Sequence, residues 1–144
     1  MTAADVLLAL VFAGAVLWVE DGRLRFRAPV GALDDTLKAA AAKSRGGLIA
    51  LVRSGAVLPA DRTAWSEETT HELEERAGIL TFEADLAPAD AEREAERLVR
   101  VAHTREFLER HAFVRRAPHA PVDTPAAEAV ALFAGRVAAR TDDP

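Results

Sequence analysis

LWVEDGRLRFRAP, residues 17–29, is the stretch that decides the fold of the N-terminal part of this chain. Two runs of alternating apolar and polar residues flank the dipeptide Asp21-Gly22, which favours a two-residue type I′ hairpin loop. A loop of this type fixes the register of the two strands that it joins. The predicted cross-strand pairs are Glu20–Arg23, Val19–Leu24, Trp18–Arg25, Leu17–Phe26 and Val16–Arg27.

Side chains of the hairpin alternate between two faces. One face is apolar, is expected to pack on helices, and comprises Leu17, Val19, Leu24 and Phe26. The other face carries the candidate partner-binding residues, which are Trp18, Arg23, Arg25 and Arg27. Trp and Arg concentrate binding energy at interfaces, and an open strand edge invites strand addition, so this face predicts a site for an acidic, apolar peptide. Trp18 lies across from Arg25, where a cation–π pair is expected to form. The alternative to a binding site is a solvated sheet face with a single snorkelling aromatic side chain.

A helix precedes the hairpin. Thr2 and Asp5 have the spacing of a capping box, which predicts a helix from about residue 3 that stops at Gly14. Apolar residues occupy most of its circumference, so it must be buried on more than one side. A unit of about fifty residues can supply only one such side from within itself, and the sequence therefore predicts self-association.

Two further helices follow the hairpin. Asp34 or Asp35 caps the first, and Gly46-Gly47 is expected to separate it from the short apolar helix that ends at Arg53. The predicted order is helix, strand, strand, helix, helix.

This order and three of its segments resemble the TubC-type N-terminal docking domain of nonribosomal peptide and hybrid polyketide assembly lines. The segments are MTAADVLLAL, LWVEDGRLRFRAPVGAL and GLIALVR, and the resemblance covers residues 1–53. It implies a homodimer whose exposed hairpin captures a short acidic segment at the C-terminus of an upstream partner. By position, it implies a capture surface made of Trp18, Arg23, Arg25 and Arg27.

Charge changes along the chain. Residues 1–58 hold seven Lys/Arg against five Asp/Glu, whereas residues 59–144 hold eleven against eighteen, within a net charge of −5. This asymmetry indicates two units. We predict an α+β fold: a small αββαα docking-type domain (1–53), a linker (54–65) and an all-helical acidic extension (66–144).

The extension is predicted to contain three helices. Ser66 caps the first, Pro88 begins the second, and a proline-spaced linker over residues 116–125 leads to the third. The third is expected to turn four side chains inward, namely Val130, Phe133, Ala134 and Val137. The segment ERAGILTFEADLAPADAEREAERL resembles stretches found in small proteins of bacterial mobile elements, and no catalytic module follows. We therefore expect a small stand-alone protein of such an element.

Several kinds of chemistry lack a sequence signal. The chain has no cysteine, and its four histidines lack metal-ligand spacing. No phosphate-binding loop, nucleophile elbow or nucleotide fingerprint is present. We expect no enzyme activity, no catalytic residue, no cofactor and no metal. The N-terminal apolar run lacks a basic region before it and is too short to span a membrane, so we expect a cytoplasmic protein without membrane contact.

The leading interpretation is a non-catalytic, dimeric docking module that binds an acidic peptide through its arginine-rich hairpin. An alternative is an accessory or inhibitory protein of a mobile element, which acts through its acidic helical half on a nucleic-acid enzyme. Direct nucleic-acid binding ranks below peptide binding, because the pI is about 5.4 and the basic patch is short. In a third possibility, the acidic helices of residues 66–96 fold back onto the arginine face of their own chain.

Overall fold

The computed structural model describes residues 2–116 of the chain, and side chains over residues 2–111. Its elements are α1 (Ala3–Phe12), β1 (Val16–Glu20), β2 (Arg23–Arg27), α2 (Asp35–Lys43), α3 (Arg45–Arg53), a 3-10 turn (Arg62–Ala64), α4 (Glu67–Glu83) and α5 (Pro88–Arg116). This order confirms the predicted α+β class, with an αββαα unit followed by a helical extension. The predicted last helix, with Val130, Phe133, Ala134 and Val137, lies outside the described residues.

The hairpin has the predicted register at all five pairs. Asp21 and Gly22 have φ angles of 54° and 75°, the left-handed conformation that a type I′ loop needs at both positions. The apolar face departs from expectation at one end, because Leu17 is buried whereas Phe26 is 50% exposed. Leu17 lies on β1 and joins the core, whereas its partner Phe26 lies on β2 and lines an open groove.

Helix α1 begins with the predicted capping box. The backbone N–H of Asp5 donates to Thr2 Oγ1 at 3.2 Å, and the backbone N–H of Thr2 donates to Asp5 Oδ2 at 3.1 Å. Helices α2, α3 and α5 all pack against α1. The side that we expected a second copy to cover is therefore covered by α5 of the same chain. A homodimer stays a prediction that now depends on the family resemblance alone.

Gly46 and Gly47 lie inside a helix, so the predicted break at this pair is wrong. Helix α2 ends at Lys43, and α3 already begins at Arg45. A Cβ atom at Gly47 would lie 2.7 Å from the Cβ of Ala3. The glycine thus permits a close approach of α3 to α1, which is a stronger requirement here than helix propensity.

The extension is a pair of antiparallel helices. Ser66 caps α4 and Pro88 begins α5, as predicted. Their shared core contains Leu58, Trp65, Leu73, Ala95 and Val99. Farther along α5, Val101 and Leu108 join the core that α1 forms with the hairpin. Core contacts therefore cross the predicted linker, while the boundaries 1–53, 54–65 and 66–144 stay a prediction.

Two arginines of α5 hold the extension in place. Arg97 donates from Nη1 to the carbonyl oxygen of Phe12 at 2.8 Å and lies over the Phe12 ring, 4.9 Å from its centroid. A guanidinium at this carbonyl also complements the negative end of the α1 dipole. Arg100 is buried, lies over the Trp65 ring, and donates to the carbonyls of residues 58–60. Burial lowers the pKa of Arg100, and the carboxylate of Glu96 opposes this shift.

Candidate functional site

The three hairpin arginines have exposed side chains. Within residues 2–111, none of the side chains of Arg23, Arg25 and Arg27 forms an ion pair or a hydrogen bond. Trp18 is half-buried, and its indole N–H donates to Glu20 Oε2 at 3.5 Å. The cation–π contacts of the described part are made by other arginines, on α5. The hairpin cations are thus available to a ligand.

A groove of about 520 Å³ runs between β2 and α2. Its floor is apolar and consists of Leu10, Leu17, Leu24, Phe26, Leu33 and Ala41. Its rim carries four cations, two from each side: Arg23 and Arg25 from β2, Lys38 from α2 and Arg45 from the start of α3. No acidic residue lies among the described residues that line the groove.

The groove follows the free edge of β2. Consecutive residues from Gly22 to Phe26 line it, although neighbouring side chains on a strand point to opposite faces. Residues of both parities in one lining place the groove beside the edge of β2, and Leu17 of β1 shows that it also reaches the apolar face of the sheet. The described sheet has two strands, so this edge of β2 carries backbone groups that pair with no other strand. The groove can therefore accept an extended chain by strand addition.

Arg27 lies apart from the groove. It lines a second cleft, of about 500 Å³, together with the ends of α1 and β1 and the first turns of α5. Three acidic residues of α5 share that cleft, namely Asp90, Glu94 and Glu96. The extension thus approaches the arginine face at one end only, and it leaves Arg23 and Arg25 open.

The structure separates the four candidate residues. It places Arg23 and Arg25 on the groove, Arg27 in the cleft beside α5, and Trp18 outside the residues that line the groove. It adds Lys38 and Arg45, which sequence reasoning missed. The periodicity of a helix shows which of its residues share a face, but not which strand that face meets. Nothing in the sequence around Lys38, the fourth residue of α2, distinguishes it from an ordinary exposed lysine.

Other kinds of site have no support within the described residues. No group of three or more His, Asp or Glu side chains between residues 2 and 111 is arranged to hold a metal ion. None of the helices described is both long and apolar enough to cross a membrane.

Comparison with known families finds a match in the N-terminal third of the chain. Residues 6–53 match the model of the family described as the TubC N-terminal docking domain. This match confirms the resemblance for the N-terminal third of the chain and suggests a docking role without catalysis. The matched residues end with α3, so α4 and α5 lie outside them. Neither a curated protein nor a solved structure matches the chain.

Proposed function

We propose that this protein is a non-catalytic docking module whose β2–α2 groove captures an extended, acidic and apolar segment of a partner protein. The observation that carries the proposal is the groove itself, which has an apolar floor, a rim of four cations without lining acids, and an unpaired strand edge. The match to a docking-domain family supports the same role.

Each part of the groove recognises a different feature of the segment. The edge of β2 pairs with the backbone of the segment, which gives affinity without regard to sequence. Phe26, half exposed at the margin of the floor, receives an apolar side chain. Arg25 and Lys38 stand on opposite rims and select carboxylates, which also steer the encounter at low ionic strength.

Of the four residues predicted from sequence, we propose that Arg23 and Arg25 bind the partner directly. Trp18 and Arg27 lie outside the groove. We propose Arg27 as a secondary contact that extends the basic surface, and Trp18 as a peripheral contact that contributes little to affinity. A homodimer and a cytoplasmic location stay predictions that the family resemblance and the sequence support.

The acidic helical half keeps the alternative function open as a prediction. Helix α4 contains six glutamates and one arginine, so a role on the basic surface of a nucleic-acid enzyme has an electrostatic basis. The two functions differ in which half of the chain binds, and separate substitutions distinguish them.

The test is partner capture from the native host by the tagged full chain, with proteins identified by mass spectrometry. Arg25→Glu combined with Lys38→Glu should abolish capture, because both rims of the groove then repel a carboxylate. Arg105→Glu reverses an exposed charge on α5, outside the groove, and serves as the matched control. Capture that survives the groove variant but is lost on charge reversal of the α4 glutamates would refute the proposal in favour of the alternative.

A further inference from the structure

Helix α4 presents an apolar pair to solvent. Ile79 is 47% exposed and Phe82 is 88% exposed, and they lie one turn apart on the outer face of the helix. Beside them is a shallow groove between α4 and α5, to which Leu80 and Leu98 contribute. Large exposed apolar side chains that cluster in this way mark interaction surfaces more often than isolated ones do.

Carboxylates surround this apolar pair. Glu72, Glu75 and Glu83 lie on the same helical face as Ile79 and Phe82, by their spacing of three, four and seven residues. Arg76 pairs with Glu72 at 3.2 Å, whereas Glu75 and Glu83 form no ion pair within residues 2–111. We call the five residues of this face the α4 stripe: Glu72, Glu75, Ile79, Phe82 and Glu83.

The α4 stripe offers two of the features that the β2–α2 groove is proposed to recognise, apolar side chains and carboxylates, and it presents them from a helix without strand addition. Both surfaces have an apolar centre. The charged residues that line the groove are all cations, whereas the margin of the α4 stripe is net acidic, with Arg76 paired to one of its three glutamates. We propose that the α4 stripe of one copy docks in the β2–α2 groove of a second copy, with Phe82 against the apolar floor. This inference depends on the proposed function, since it uses the same groove.

The contact can form only between copies. Helix α4 packs on α5, and α5 in turn packs on α1, whose Leu10 contributes to the floor of the groove. Helix α5 therefore lies between the α4 stripe and the groove of the same chain. A contact between two different surfaces is heterologous, so an open assembly of several copies keeps one free groove at one end and one free stripe at the other.

Such docking couples capture to protein concentration. A partner segment and the α4 stripe compete for one groove, so the segment must displace a neighbouring copy when the protein is concentrated. Assemblies should dissociate when an acidic, apolar peptide is added in excess, and also in 1 M salt, where the Debye length falls to about 3 Å.

The test is sedimentation equilibrium of the full chain between about 10 and 500 μM, at low salt. We expect a weight-average mass that rises with concentration and does not level off at two chains. Ile79→Ser with Phe82→Ser removes the stripe, and Arg25→Glu with Lys38→Glu removes the groove; each variant should lose the concentration dependence. All four side chains are exposed, so the substitutions leave the core intact. Val30→Ser removes an exposed apolar side chain elsewhere and should change nothing.

Mixing the two variants gives the decisive result. Each keeps the surface that the other lacks, so an equimolar mixture should form a complex through the one intact groove–stripe pair, although neither variant alone shows the concentration-dependent assembly. A mass that stays constant with concentration, or association that persists in both variants, would overturn the inference. If the wild type binds an acidic, apolar peptide and yet never self-associates, the self-docking fails and the proposed function stands.

Discussion

Replacement of Arg97 by methionine tests whether the extension and the N-terminal unit form one cooperative structure. Methionine keeps the apolar stem and removes the guanidinium, which donates to the carbonyl oxygen of Phe12 and lies over its ring. A hydrogen bond from a charged group contributes about 1.5–3 kcal/mol, and a cation–π contact at an exposed site about 0.5–1 kcal/mol. Because the Arg97 side chain keeps 27% of its exposure, we expect a combined loss near the lower end, about 2 kcal/mol.

The assay uses the two tryptophans as reporters of the two units. Trp18 lies on β1, and Trp65 lies in the core between α4 and α5. After labelling with 5-fluorotryptophan, the two resonances can be followed separately during urea unfolding. We expect one shared midpoint, which moves to lower urea for both resonances in the Arg97→Met variant.

The matched control is Arg93→Met, four residues earlier on the same helix. Its side chain is 78% exposed and pairs only with Asp90, so the loss should stay below about 0.5 kcal/mol. Separate urea midpoints for the two resonances would contradict one cooperative structure. So would an Arg97→Met variant that shifts the midpoint of Trp65 and leaves that of Trp18 unchanged.

Two further predictions concern local structure. Gly47→Ala should destabilise the fold by about 1–3 kcal/mol in urea unfolding, because the new Cβ would overlap that of Ala3. Gly46→Ala places its Cβ in open space and should stabilise α3 by about 0.5–1 kcal/mol. Hydrogen bonds from the hydroxyl and the backbone N–H of Thr63 hold the pKa of Asp61 below its ordinary value. The stability that Asp61 contributes as a cap is therefore fully present at a pH above its ordinary pKa, and it is lost as the pH falls through the lowered pKa. Carboxyl NMR titration should show this pKa rise in Thr63→Val; an unchanged value would contradict the assignment to the hydroxyl.

The hairpin and the helix starts were predictable from sequence because they depend on residues close together in the chain. Asp21-Gly22 sets the loop type, and the loop sets the register. Thr2 and Ser66 cap their helices through backbone groups three residues away. In each case the sequence pattern and the structural contact involve the same few residues.

The covering of α1 was not predictable in this way. Its all-round apolar surface correctly indicated burial on more than one side, but the side assigned to a second copy is occupied by α5. The contact that anchors α5 there joins Arg97 to the carbonyl of Phe12, 85 residues earlier. A backbone carbonyl has no sequence signal, and an arginine in a charge-rich helix resembles any solvated side chain.

The candidate site was predictable in part. Alternation identified Arg23 and Arg25 as exposed cations on the hairpin, and both line the groove. Lys38 and Arg45 complete the rim because α2 and the start of α3 border the same groove as β2. That placement follows from how the helices pack on α1, which periodicity within one element does not specify.

The most direct test of the groove as the binding site is a calorimetric titration with a ten-residue peptide of alternating leucine and aspartate. Our account predicts that Lys38→Glu, on the helical rim, weakens binding at least about tenfold, because it replaces an attraction with a repulsion. Trp18→Ala should change the affinity by less than about twofold, since Trp18 lies outside the groove. Binding that survives Lys38→Glu and is lost in Trp18→Ala would place the site on the other face of the hairpin and contradict the account.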